Sequence, residues 1–149
     1  MSRFFPLSGH ENGGTMLTCP PAVLHQLRNE SIIWLATVRP DGQPQVVPVW
    51  FLWDDGAVLI YSRPRSQKVR NIRHNPRVSL HFNSDPWAEH VTRFDGRAEL
   101  VSDAALANER PAYLAKYRDG ISRIGMTPET FAREYSLLIR VYPEHLVHW

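Results

Sequence analysis

The sequence predicts a mainly β domain, an antiparallel barrel of Greek-key type with short helices inserted between its strands. Three observations predict it. Short runs of β-branched and aromatic residues recur along the chain, closed by turn signals such as Asp41-Gly42, Asp55-Gly56 and Asn75-Pro76. The helical stretches between them are brief and carry their own start and stop residues. At 149 residues, with 43% hydrophobic, 11% aromatic and 21% charged content, the chain suits a single domain over 1–149 and excludes disordered, collagen-like and low-complexity classes.

Residues 1–18 are mixed and turn-rich, with Gly13-Gly14, and read as a loose N-terminal arm. Pro20-Pro21 opens a helix over Ala22 to Glu30, where Val23, Leu24 and Leu27 share a face. Ile32 to Val38 is a strand stopped by Pro40-Asp41-Gly42. Gln43 to Trp53 is a second, ending at Asp54-Asp55-Gly56, and Ala57 to Tyr61 is a third. Two Asp-Gly turns between apolar runs predict a three-stranded antiparallel meander. Pro44 and Pro48 lack amide donors, so part of the middle strand must have a free edge or a bulge.

Gln67 to His74 is a helix ending at Asn75-Pro76, because the residue before proline resists helical geometry, and Arg77 to Phe82 resumes strand. After the loop Asn83-Ser84-Asp85-Pro86, Glu89 to Val101 is a long strand interrupted at Asp95-Gly96. Ala104 to Tyr117 is helical, with a break or kink at Pro111 and Gly120 as a stop signal. Thr127-Pro128-Glu129 supplies a cap, a first-turn proline and an acid for a helix to Glu134, and Ser136 to Val141 is the last strand. No internal repeat or linker interrupts this order.

The formal net charge is +2, but it is unevenly distributed. Arg63, Arg65, Lys68, Arg70, Arg73 and Arg77 occupy a stretch with no acid, and the rest of the chain holds 11 basic against 15 acidic residues. The positive charge is a local device. The single cysteine, Cys19, allows neither an internal disulfide nor a cysteine cluster for zinc or iron–sulfur, which fits a reducing cytoplasm. The N-terminus has no basic start followed by a long apolar run, and the best apolar stretch, Val46 to Trp53, is far short of the roughly 20 residues a membrane helix needs. A cytoplasmic protein without a membrane partner is expected.

The chemistry concentrates between Ile60 and Pro76. A strand delivers Ser62 and Arg63 to its end, a turn follows, and Ser66 sits where it caps a helix beginning at Gln67. Free amides at a helix start, a capping hydroxyl and fixed cations make an anion site, and phosphate is its natural guest. Ser66 and Lys68 lead the candidates, Arg63 and Arg65 follow, and Arg70 and Arg73 fit a solvated face.

The sequence resembles the split β-barrel flavin and deazaflavin oxidoreductases related to pyridoxamine 5′-phosphate oxidase. The resemblance runs from about Leu27 to Val101. It rests on Leu35-Ala36-Thr37-Val38 with Asp41-Gly42, on Gln45-Val46-Val47-Pro48-Val49-Trp50-Phe51, on Tyr61-Ser62 with Ser66, Lys68, Arg70, Asn71 and Asn75-Pro76, and on Asp95-Gly96-Arg97-Ala98. Within that family the chain looks most like the branch that uses the deazaflavin coenzyme F-420. The resemblance implies a six-stranded split barrel of the FMN-binding type and a homodimer with cofactor at the subunit interface. It also implies hydride transfer between F-420 or FMN and a small organic substrate. It puts Val46, Val47, Pro48, Val49 and Trp50 along the ring, Tyr61 and Ser62 at the ribityl–phosphate end, and Ser66 and Lys68 on phosphate, with Arg63, Arg65 and Asn71 as further cofactor-site candidates. Pro64 departs from the family's turn and leaves open which of Arg63 and Arg65 reaches the anion.

A tricyclic ring wants an apolar wall with a few backbone donors and acceptors, and Val46 to Trp53 can be wall on one face and core on the other. Hydride chemistry belongs to the cofactor, so no dedicated catalytic side chain is required. None is marked by a nucleophile elbow, a zincin motif or a P-loop. His74, His81 and His90 can tune a nearby cofactor. His145 and His148 do not make a metal site at strand spacing, and no metal is expected. Two other classes compete: a non-catalytic carrier or sensor of flavin or heme on the same barrel, and a single-stranded nucleic-acid binder, for which the cations are too localised. Substrate specificity is expected in the loops Asn83 to His90 and Ala115 to Thr127.

Overall fold

In the computed structural model, which describes residues 3–5 and 17–149, the β-branched and aromatic runs pair into one antiparallel sheet that curls into a split barrel. Its strands are β1 (Arg3–Phe5), β2 (Ile33–Val38), β3 (Pro44–Val49), β4 (Leu52–Asp54), β5 (Ala57–Ser62), β6 (Arg77–His81), β7 (Thr92–Val101) and β8 (Leu137–His148). The order is β3-β2-β6-β7-β8-β5-β4, with β1 paired to the end of β8. Helices α1 (Pro21–Asn29), α2 (Gln67–His74), α3 (Pro111–Arg123) and α4 (Pro128–Glu134) are inserted between strands, with a 3-10 turn at Ala107–Glu109. The strand count exceeds six because the three-residue strands β1 and β4 extend the sheet. Within the expected arm, Arg3–Phe5 forms β1 and Leu17 is buried; residues 1–2 and 6–16 lie outside the described residues.

The expected meander is corrected. The run Gln43 to Trp53 divides at Trp50-Phe51: among the described residues β3 pairs with β2 alone and β4 with β5 alone, and the two lie at opposite ends of the strand order. The division is stabilised from outside the sheet. Phe51 N–H donates to Tyr117 Oη at 2.8 Å, and Phe51 C=O accepts from Lys116 Nζ at 2.8 Å, so α3 satisfies backbone groups that a strand neighbour otherwise would.

The free edge demanded by Pro44 and Pro48 is the outer side of β3. Arg39 N–H donates to Gln43 C=O at 2.9 Å, so the backbone groups of odd-numbered residues in β3 face β2 and those of even-numbered residues face outward. Both prolines therefore turn their missing donors to the open edge, where Val46 keeps its N–H and C=O.

Two expectations near proline and glycine also change. Pro111 begins α3 at its first turn instead of breaking a helix, and Gly120 lies inside α3. A Cβ on Gly120 would stand 3.1 Å from Trp50 Cη2, so the glycine serves close packing, and the left-handed turn after the helix falls to Gly125, φ 79°. The last strand runs to His148 because Pro143 sits opposite Gly96 at a bulge, where its absent donor breaks no ladder bond.

The core is double. Ile33, Leu35, Phe51, Val58, Ile60, Leu80, Phe94 and Ile139 fill the barrel, while Leu59, Tyr61, Tyr113, Tyr117, Ile121, Phe131 and Leu138 pack between the outer face of β5–β8 and the helices α3 and α4. All six residues of β5 are buried because each face of that strand is covered. Among the described residues no helix is long and apolar enough to cross a membrane.

Candidate functional site

β5 ends at Ser62, fully buried, whose hydroxyl donates to Arg63 C=O at 3.0 Å and shares a hydrogen bond of 2.9 Å with Ser66 Oγ. Ser66 N–H closes the intervening turn on Arg63 C=O at 3.2 Å, and Ser66 Oγ caps α2 by accepting from Val69 N–H at 3.4 Å. The first two amides of α2, those of Gln67 and Lys68, keep no protein partner among the described residues. No acid occupies this first turn. The helix start is electropositive and has donors to offer.

Asn71 locks α2 onto the β2–β3 hairpin. It is fully buried, donates to Thr37 Oγ1 and Gln45 Oε1 at 2.9 Å each, and accepts from Gln67 Nε2 at 2.8 Å. Its amide and the Ser62 hydroxyl are occupied within the protein, so both residues shape the site from beneath. Arg70 folds back on Arg65 C=O and Gln67 Oε1. Arg63 leaves the turn to pair with Glu134 and lies 5.2 Å over the Tyr135 ring. Arg65 stays exposed.

Lys68 is different. It is half-buried and has no acidic partner among the described residues. Burial, and then the charge of Arg63, hold its ammonium below the usual lysine range. It borders two cavities. One, of about 320 Å³, is lined by Thr37, Gln45, Val46, Val47, Gln67 and Lys68; the other, of about 270 Å³, by Pro48, Val49, Trp50, Tyr61 and Lys68, with Tyr113 of α3, Phe131 of α4, and Ile124 and Tyr135 just past the ends of those helices.

The candidate ring residues therefore divide. Val46 and Val47 are exposed at 48% and 39% and wall the first cavity, while Val49 turns toward the core and Trp50 stacks on Tyr117 at 4.7 Å. Tyr61 Oη donates to Ala105 C=O at 2.7 Å and accepts from Arg110 Nε at 2.6 Å, so it is held in the wall of the second. Sequence reasoning missed Thr37, Gln45, Gln67, Tyr113, Phe131 and Tyr135; Ile124 falls within the stretch Ala115 to Thr127 expected to carry specificity, most of which is helix α3 and not loop. The spacing of four between Phe131 and Tyr135 signals a shared helix face, but nothing local says that the face borders a cavity.

A third cavity, of about 530 Å³, shares Thr37 with the first and extends to Arg77, Arg97, Glu144 and His145. His145 and His148 do not converge: the first borders this cavity and the second meets Val91 C=O and Thr92 Oγ1. His81 stacks on Trp34 at 6.0 Å.

Comparison with known proteins bears on the family and the fold. The family model described as pyridoxamine 5′-phosphate oxidase matches residues 19–144. The pyridoxine/pyridoxamine 5′-phosphate oxidase of Paracidovorax citrulli is 36% identical over 107 residues, covering 70% of this chain and 44% of that protein. The chain spans about half the length or less of such curated relatives. Among solved structures, one named F-420 reductase superposes with a TM-score of 0.64 at 28% identity, covering 86% of this chain and 98% of that one. A heme storage protein from Vibrio cholerae shares the fold, with a TM-score of 0.61 at 20% identity over 86% of this chain and 93% of its own. With most of its length matched and its split barrel in place, the chain belongs to the pyridoxamine 5′-phosphate oxidase family.

Proposed function

We propose that this protein is an oxidoreductase that binds the deazaflavin coenzyme F-420, or FMN in its place, and moves a hydride between that cofactor and a small organic substrate. The observation that carries this reading is Lys68, a half-buried cation without an acidic partner among the described residues, beside free helix amides and an open apolar strand edge. Such a cation is stable only with an anion or water to solvate it. Ser66, the amides of Gln67 and Lys68, the Lys68 ammonium and Arg65 would hold phosphate. Val46 and Val47 would wall the ring, with the Val46 backbone and the Pro48 carbonyl on the open edge to meet its polar rim. The further arginines Arg70 and Arg73 suit a longer anionic tail, which favours F-420 over FMN.

F-420 or FMN, held through its phosphate by Ser66, Lys68 and the amides of Gln67 and Lys68, would supply the hydride, and solvent would supply the accompanying proton. The protein orients the ring and excludes water. Because β3 is open on its outer side, one chain covers a ring incompletely. A second copy would complete the enclosure, as a homodimer with cofactor at the interface. A cytoplasmic setting and no nucleic-acid partner go with this reading.

The test is calorimetric titration with F-420 and, separately, with FMN, on wild type and Lys68→Ala, with light scattering to count subunits. Tight binding of one cofactor, weakened by the substitution, is expected. Binding of neither, with a Soret band appearing on addition of hemin, would overturn the proposal in favour of heme binding.

A further inference from the structure

We infer that the 530 Å³ cavity on the outer face of β2, β6, β7 and β8 is a second ligand site, and that it takes an aliphatic monocarboxylate with a medium-length chain. The inference does not depend on the cofactor reading. The volume falls within the roughly 300–1,000 Å³ of ordinary ligand pockets. A β-bulge shapes the site. The ladder between β7 and β8 slips between Asp95 and Gly96, where Pro143 stands opposite the glycine and Glu144 is the extra residue. A Cβ at Gly96 would run into the Tyr142 carbonyl, so glycine lets the two strands close at this point. The bulge brings Glu144 and His145 into the cavity wall.

Charge defines one end. Arg77 and Arg97 are direct register partners across β6 and β7, and both line the cavity. Two cations placed opposite one another weaken a ladder. Among the described residues Arg97 meets Glu144 at 3.4 Å, and Arg77 meets no acid. The other acid of the wall, Asp95, is held by Ser79 Oγ at 2.9 Å and by Arg93 at 3.2 Å. This end therefore carries one unmatched positive charge on a guanidinium pair. A carboxylate matches it in sign, in size and in two-pronged geometry. The other end is apolar, formed by Ala36 and Val38 of β2 and Pro44 of β3. Neighbouring strands stand about 4.8 Å apart, so this wall lies roughly 7–12 Å along the sheet from the arginine pair, the reach of a medium alkyl chain. Among the described residues no aromatic side chain lines the cavity. Such a wall offers a flat ring no stacking partner, while an alkyl chain meets it in ordinary van der Waals contact.

The test is calorimetric titration with octanoate, with acetate as the charge without the chain and 1-octanol as the chain without the charge, while light scattering counts subunits at the same concentrations. Octanoate binding is expected, with acetate and octanol each at least about tenfold weaker. Arg77→Gln should weaken octanoate about 10- to 100-fold, the range of a charge-assisted contact. Because it removes one of two opposed cations, the same substitution should not lower the thermal midpoint of the free protein. Val38→Asp sets a carboxylate in the apolar wall and should abolish binding. Arg118→Gln, which removes an exposed cation of α3 outside the cavity, should leave octanoate affinity unchanged. Failure of octanoate to bind, equal binding of octanol, or affinity indifferent to Arg77→Gln and Val38→Asp would overturn the site. So would a chain that self-associates and binds octanoate only once dissociated, because a second copy would then be the occupant of this face.

Discussion

The backbone N–H of Phe51 donates to the hydroxyl of Tyr117 at 2.8 Å, across 66 positions of sequence. That hydroxyl also reaches Ser31 C=O at 2.7 Å and Phe51 C=O at 3.0 Å. One phenol on α3 thus holds the point where the chain leaves β3 for β4. Tyr117→Phe leaves the Phe51 N–H buried and unpaired, and should lower unfolding free energy by about 1–3 kcal/mol in urea denaturation, with an unchanged slope. An unchanged midpoint would mean that the crossover is held by packing alone.

Asn71 makes a second long-range anchor, tying α2 to Thr37 and Gln45. Asn71→Ala removes a buried amide whose donors and acceptor are all used, and should cost about 2–4 kcal/mol because its former partners are left unsatisfied. Anion affinity should fall with it, since α2 would no longer be fixed against the hairpin. Equal denaturation midpoints for the two proteins would contradict the anchor.

The contrast between these anchors and α2 itself explains what was legible from residues alone. The limits Gln67 and His74 were readable because Ser66 caps one end and Asn75-Pro76 stops the other, all within ten positions. The Thr127 cap of α4 and the Asp95-Gly96 irregularity were readable for the same local reason. The division of the Gln43 to Trp53 run was not, because it depends on Tyr117 and Lys116, which no local pattern links to Phe51. Gly120 misled for a similar reason: its role is contact with Trp50, a residue 70 positions earlier. In the site, Ser66 and Lys68 announced themselves as a cap and a cation at a helix start. The aromatic cavity did not, since Tyr113 and Phe131 read as ordinary core residues.

Lys116 gives a pH signature. Its ammonium lies 3.7 Å over the Phe51 ring, and burial pushes its pKa down to about 8, partly opposed by Glu30. A lysine whose pKa is lower folded than unfolded weakens the fold while it is charged. That penalty is fully present below about pH 8 and is relieved as pH rises toward the unfolded value of about 10.4. The stability of wild type relative to Lys116→Met should therefore rise across that window. Parallel pH profiles for the two proteins would show that Lys116 titrates normally.

The open edge of β3 is protected by two missing donors. Pro44→Thr with Pro48→Thr restores outward N–H groups on either side of Val46, giving three donors in strand register. The double variant should associate beyond the wild-type size in a concentration-dependent way, read by light scattering, while the helices keep their circular dichroism. A wild-type scattering profile would mean that the exposed side chains of β3, and not its backbone, keep the edge from pairing.

Lys68 and Arg63 can be separated by pH. The Lys68 ammonium is held below the usual lysine range first by burial and then by the charge of Arg63. A phosphate held by Lys68 as proposed would need the charged form, so affinity for FMN should decline as pH rises through that lowered pKa, earlier than an exposed lysine would allow. Lys68→Ala should weaken FMN about 10- to 100-fold at neutral pH, the range for a charge-assisted contact, and flatten the alkaline decline. Arg63 is engaged with Glu134 and Tyr135, so Arg63→Ala should cost less affinity. By removing one cause of the depression it should also move the decline to higher pH. If Arg63→Ala instead costs more than Lys68→Ala, then Arg63 leaves Glu134 for the anion, and the contact with α4 is the one that binding breaks.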